Sequence, residues 1–148
     1  MRAPRGFTLI EVVIALLLGS ILTGIALTSY GNAQGRFAVR GARNTFTSLH
    51  ARARATAIER GSTVRLLVDV GGDSVVITNG ATTIEKIRFE EEFHVDLQST
   101  SGNLLLCMNA RGYADTGCTN FSAAVTLGFR QNADTTSVRI LPLGQLIY

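Results

Sequence analysis

The sequence predicts an α+β fold, with one long N-terminal helix packed across an antiparallel β-sheet. Three observations carry that prediction. No proline interrupts the chain between residues 7 and 60, since the only two are Pro4 and Pro142, and apolar positions in the later part of that stretch recur at helical spacing. After Gly61 the period changes to two. From there on, short alternating runs are divided by turn-forming residues such as Asn79-Gly80.

The predicted helix has two halves. The first holds Glu11 and then about 24 uncharged residues, Val12–Gly35, before the next formal charge at Arg36. That is long enough for a bilayer crossing, which takes roughly 20 residues. An unpaired acid at the membrane centre costs about 2.5–3.5 kcal/mol, so a chain that keeps Glu11 there needs a partner for it. Five glycines (Gly19, Gly24, Gly31, Gly35, Gly41) fall within the helix. Each costs about 1 kcal/mol relative to alanine, which makes Thr28–Gly35 its weakest section.

The second half is amphipathic. Val39, Ala42, Phe46, Leu49, Ala53 and Ala57 form a stripe expected to face the sheet. Arg36, Arg40, Arg43, His50 and Arg54 recur on another face. That basic stripe reads first as a solvated face or a contact for acidic neighbours, and second as a contact for anionic lipid or DNA. His50 is expected to be exposed within it. Gly61 is a suitable C-cap.

Beyond Gly61, Val64, Leu66, Val68 and Val70 alternate with Arg65, Leu67 and Asp69, giving a strand with one buried face. Gly71-Gly72-Asp73 turns the chain into a hairpin partner over Ser74–Thr78. Thr82–Phe89 predicts a third strand and Phe93, Val95 and Leu97 a fourth, with the acid run Glu90-Glu91-Glu92 as a solvated edge or turn between them. Leu104–Met108 predicts a short buried strand, Asn109–Asn120 a polar loop, and Val125, Leu127 and Phe129 a further strand. Gln131–Thr136 is expected to be a turn, and Val138–Leu141 with Gly144–Tyr148 the last strand region, Pro142 marking an edge or bulge.

Composition narrows the function. The chain has 148 residues and a formal net charge of +3, too weak a bias to imply nucleic acid. Lys86 is its only lysine. Cys107 and Cys118 lie in the part expected to be exported, where such a pair is a disulfide candidate; two free buried thiols are the alternative. With only His50 and His94 besides, no metal-ligand spacing is present, and no cofactor is expected. No Gly-x-Ser-x-Gly, P-loop or His-Glu-x-x-His motif occurs. Glu92, His94 and Asp96 would share one face of a strand, but an exposed polar face opposite Phe93, Val95 and Leu97 explains them without chemistry. No catalytic residue is assigned.

The N-terminus is the most specific feature. A short basic leader with Arg2 and Arg5 runs into Gly6-Phe7-Thr8-Leu9-Ile10-Glu11 and then Val12–Leu18. An ordinary secretory signal would be cut after its apolar core, and a plain single-span anchor would leave Glu11 unexplained. The stretch resembles the class III signal of type IV pilins and type II secretion pseudopilins. The resemblance implies a prepilin peptidase cut between Gly6 and Phe7, N-methylation of Phe7, and a role for Glu11 in neutralising the N-terminal amine of a neighbouring subunit. It further implies residues 1–6 as leader, 7–30 as transmembrane and filament-core helix, 31–61 as its amphipathic half, and 62–148 as a periplasmic sheet domain.

Within that superfamily, Ala53-Arg54-Ala55-Thr56-Ala57-Ile58-Glu59-Arg60-Gly61-Ser62-Thr63-Val64 is similar to the end of the long helix in the GspH/FimT family. The expected protein is therefore a minor pilin or pseudopilin, not an enzyme. It would sit in the bacterial inner membrane, pass through it once, and enter a filament. Expected partners are other pilin or pseudopilin subunits, the prepilin peptidase and methyltransferase, and the inner-membrane assembly platform. The alternative is a DNA-binding minor pilin of natural transformation. Relatives implicated in DNA uptake carry a C-terminal Gly-Arg-x-Arg motif, whereas this chain has Gly144-Gln145-Leu146-Ile147. Arg130 and Arg139 are the candidate substitutes for contact with nucleic acid or a partner.

Overall fold

The computed structural model describes residues 8–147, and of residues 25–33 only the backbone. One helix, α1 (Leu9–Arg60), is followed by β1 (Val64–Asp69), β2 (Ser74–Asn79), β3 (Thr82–Arg88), a one-turn helix α2 (Phe89–Phe93), and then β4 (Asp96–Ser99). The remaining strands are β5 (Leu104–Met108), β6 (Val125–Gln131), β7 (Asp134–Ile140) and β8 (Leu146–Ile147). The chain divides between Gln34 and Gly35 into two compact units.

In the first unit every described side chain is exposed. Thr8 caps α1: its Oγ1 accepts the Glu11 backbone N–H at 3.3 Å, filling one of the vacant bonds of the first turn. Ser20 and Thr23 turn their hydroxyls back to the carbonyls of Leu17 and Gly19, both at 2.8 Å. Among the described residues no helix is long and apolar enough to cross a membrane. The apolar run of the sequence continues into Ile25, Ala26 and Leu27, whose side chains are outside the description.

The second unit contains the core. The expected stripe of α1 is buried throughout, from Val39 to Ala57. It joins a cluster with the inner faces of both sheets, including Val64, Leu66, Leu106, Val125, Leu127 and Phe129. The Phe129 ring lies 5.9 Å from Phe46 of α1 and 5.9 Å from Phe89 of α2, so these rings join both helices to the sheet. The helix ends as the sequence predicts. Gly61 takes a φ of 58°, and the Gly61 and Ser62 amides donate to Ile58 and Ala57. These two bonds form the Schellman arrangement that satisfies terminal carbonyls.

The strands form two antiparallel sheets of four, in the orders β3-β2-β1-β5 and β4-β6-β7-β8, where the sequence suggested one. The break between them is the segment read as the end of the third strand and start of the fourth. Phe89–Phe93 coils into α2 because its two phenylalanines, four residues apart, fall on one helical face with rings 5.9 Å apart. The Glu90-Glu91-Glu92 run is thus helical and exposed. His94, at φ 54°, ends the turn by donating its amide to the Glu90 carbonyl, so Glu92, His94 and Asp96 are not three alternate positions of one strand. Likewise β6 runs to Gln131 and β7 resumes at Asp134, leaving a tight turn with Asn132 at φ 53° in place of the longer turn expected. Asp73 ties the sheets together: its carbonyl accepts the Phe89 amide at 2.7 Å and its carboxylate the Leu97 amide at 2.6 Å.

Candidate functional site

The N-terminal signal and the flanks of α1 are the places where chemistry gathers. Gly6 and Phe7, the expected cut and methylation positions, lie outside the described residues. Glu11 sits in the first turn of α1, exposed, among exposed Leu9, Ile10, Val12 and Val13. Its position is favourable for an acid, since the first turn carries the positive end of the helix dipole.

Cys107 and Cys118 are bonded, with Cα atoms 5.7 Å apart. The bridge closes the polar loop after β5. Within that loop Asn109 accepts the amides of Arg111 and Tyr113, and Asp115 accepts that of Gly117. The loop is thereby held by its own side chains.

Arg130 and Arg139 are both exposed on the outer face of the second sheet. In the register Arg130 stands opposite Thr135 and Asp96, and Arg139 opposite Thr126 and Ile147. Positions 126 and 130 of one strand are about 13 Å apart, so the register does not set the two arginines side by side. Asp96 also supplies an opposite charge beside Arg130.

His50 departs from the expectation of an exposed residue. It is 6% exposed and its Nε2–H donates to the Gly144 carbonyl at 2.8 Å. Burial pushes its pKa below the usual histidine value; the bond to Gly144 acts in the opposite direction and the nearby Arg54 charge in the same one. Gly144 occupies a φ of 78° in the turn between β7 and β8, against Ala114 and Met108. Helical spacing grouped His50 with the basic stripe of α1, and a carbonyl 94 residues away holds it on the buried side instead.

Other arginines of α1 find separate partners. Arg52 pairs with Glu85 of β3 at 2.9 Å, and Arg54 lies over the Tyr113 ring at 5.7 Å. Arg36 pairs with Asp134 at the start of β7 at 3.6 Å. Arg36, Arg40 and Arg43 line one wall of a groove beside β7. Among the described residues no group of three or more His, Cys, Asp or Glu side chains could hold a metal.

The family model for the prokaryotic N-terminal methylation motif matches residues 1–27. No curated protein matches the chain in sequence. The structure is similar to crystal structures of the type IV minor pilin FimU of Pseudomonas aeruginosa. One, in space group P21, has a TM-score of 0.54 and 14% identity, over 74% of this chain and 86% of that one. The other, in space group P65, has a TM-score of 0.51 and 15% identity, over 73% of this chain and 90% of that one. At such identities the likeness is one of fold. The chain therefore has a type IV pilin-like fold behind an N-terminal methylation motif.

Proposed function

We propose that this chain is a minor pilin or pseudopilin, processed at its N-terminus and then built into a filament. The observation that carries the reading is the methylation motif over residues 1–27, with Glu11 in its helical part. The prepilin peptidase cuts between Gly6 and Phe7 and the new terminus at Phe7 is methylated. Residues 7–30 cross the inner membrane, and residues 62–148 form the periplasmic sheet domain. On assembly Glu11 pairs with the terminal amine of a neighbouring subunit, which removes the desolvation cost of an acid in an apolar surround.

Three features support this reading. Leu9, Leu16, Leu17, Ile21 and Leu22 are exposed in the isolated chain. Fully burying such side chains contributes roughly 1.5–3 kcal/mol each, so lipid or neighbouring helices are their natural surroundings. Ser20 and Thr23 already satisfy their hydroxyl donors within α1, as an apolar medium requires. The disulfide suits an oxidising compartment. The chain acts by packing, as a substrate of the processing enzymes and not as a catalyst.

Mass spectrometry of the protein recovered from membranes tests the processing. The expected species begins with methylated Phe7; a chain that retains Met1 overturns the reading. In cells, Glu11→Ala is expected to leave cleavage and membrane insertion intact and to abolish incorporation into filaments. Deletion strains scored for protein secretion, surface motility and transformation assign the system it serves.

A further inference from the structure

We propose that the loop closed by Cys107–Cys118 is a removable cover on the edge of β5, and that β5, once a dithiol has reduced the bond, pairs edge to edge with the same strand of a second copy. Every residue involved belongs to the unit that begins at Gly35, so processing and filament assembly do not enter.

Strand β5 stands last in its sheet, beside β1. Backbone groups in an antiparallel ladder alternate in direction, and residues 105 and 107 turn theirs away from β1. The loop meets all of them. The Asn120 side-chain oxygen accepts the Leu105 amide at 2.8 Å, and the Leu105 carbonyl accepts the Asn120 amide at 3.1 Å. The Thr119 hydroxyl accepts the Cys107 amide at 3.2 Å, and the Cys107 carbonyl accepts the Asp115 amide at 2.7 Å. The loop thereby takes the place of a neighbouring strand without being one.

The strands at the other sheet ends carry their own protection. Strand β3 has Glu85, Lys86 and Arg88 and a register shift against β2. Strand β4 has Asp96 and gives its Leu97 amide to Asp73, and β8 is only two residues long. Charges, irregularities and short length are what keep an edge from pairing. Strand β5 has none of these: Leu104–Met108 is apolar, and the sequence holds no charge between Asp96 and Arg111. A segment of that kind, without proline or glycine, pairs readily with copies of itself. In an antiparallel pair centred on Leu106, Leu105 of each copy faces Cys107 of the other. The four bonds of the cover are then remade between chains, and the contact closes at two copies because it is isologous.

The reduction is a two-electron exchange. Cys107 is buried and Cys118 half-buried, so a thiolate of the dithiol attacks the Cys118 sulfur. The Cys107 thiolate leaves and takes a proton. The second thiolate of the reagent then displaces Cys118, which takes the other proton, and the reagent ends as a disulfide. What still holds the segment after Asp115 is the Thr119 and Asn120 bonds and the half-buried Phe121 ring. A second strand competes with those bonds on equal terms.

The test uses the full chain in detergent micelles, oxidised or treated with dithiothreitol, dilute and concentrated. Amide hydrogen exchange reports on Leu104–Met108 and native mass spectrometry on the assembly. The oxidised chain is expected to keep β5 protected at both concentrations. The reduced chain is expected to lose that protection when dilute, and to regain it when concentrated as the mass of the species doubles. Thr119→Val with Asn120→Leu, which removes the two side-chain acceptors, should give the doubling without reductant. Leu105→Pro, which deletes an outward amide and spares the bonds to β1, should abolish it; Leu105→Lys serves if that variant does not fold. Protection that survives reduction in the dilute chain overturns the cover. A reduced chain of unchanged mass, or a doubling indifferent to position 105, overturns the pairing. Loss of protection in β6 together with β5 means unfolding of the whole unit, and overturns both.

Discussion

His50 shows how much one side chain can hold. Its imidazole donates to Gly144 and so fastens the turn between β7 and β8 to α1. Because burial lowers its pKa, the unfolded chain takes up a proton more readily than the folded one. Stability from this residue is therefore complete above about pH 6.5, the unfolded value, and is lost as pH falls from there toward the lowered folded value. Urea denaturation between neutral and mildly acidic pH is expected to show this fall. His50→Gln should flatten it, at a cost of about 1–2 kcal/mol at neutral pH from the altered hydrogen bond and packing. The sequence placed this residue wrongly among the exposed arginines, because on the helix it falls between Val39 and Arg43 and nothing local favours the buried side. Glu11 was the opposite case: an acid isolated in an apolar run is conspicuous without any coordinates.

Among the elements, α1 was the most legible. Its apolar stripe, its freedom from proline and its glycine C-cap are all local signals, and local signals suffice for a helix. Strands β1 and β6 were legible by alternation, β2 as the hairpin partner after Gly71-Gly72-Asp73, and β5 as a short apolar run. The segment around α2 was not. Two phenylalanines at a spacing of four also suit a longer alternating run, and only the Asp73 carbonyl and the Phe129 ring decide for the helix. The disulfide belongs to this scale, as a clasp on the loop between β5 and β6. Its sequence separation of 11 gives a loop-closure contribution of about 3 kcal/mol. Replacing Cys107 and Cys118 together by alanine is expected to lower the unfolding free energy by up to that amount, read as a shift in denaturant midpoint.

For the molecule as a whole, the α+β class was readable and the division into two sheets was not. Among the described residues every strand pairing is antiparallel, so the pairing type does not say where one ladder stops. Asp73 is one residue that bridges the gap, with one hydrogen bond to α2 and one to β4. Asp73→Asn, which preserves an acceptor, is expected to retain most of the stability. Asp73→Ala leaves the Leu97 amide without its partner and is expected to cost about 1–3 kcal/mol. Equilibrium unfolding of the two variants under the same conditions separates them.

The way α1 is fastened also governs how the molecule carries tension. Arg52 clamps it to the first sheet through Glu85, while Phe46 and His50 hold it to the second through Phe129 and Gly144. A pull along the helix axis loads these fasteners side by side, in shear, and so divides the force between two sheets instead of peeling one strand at a time.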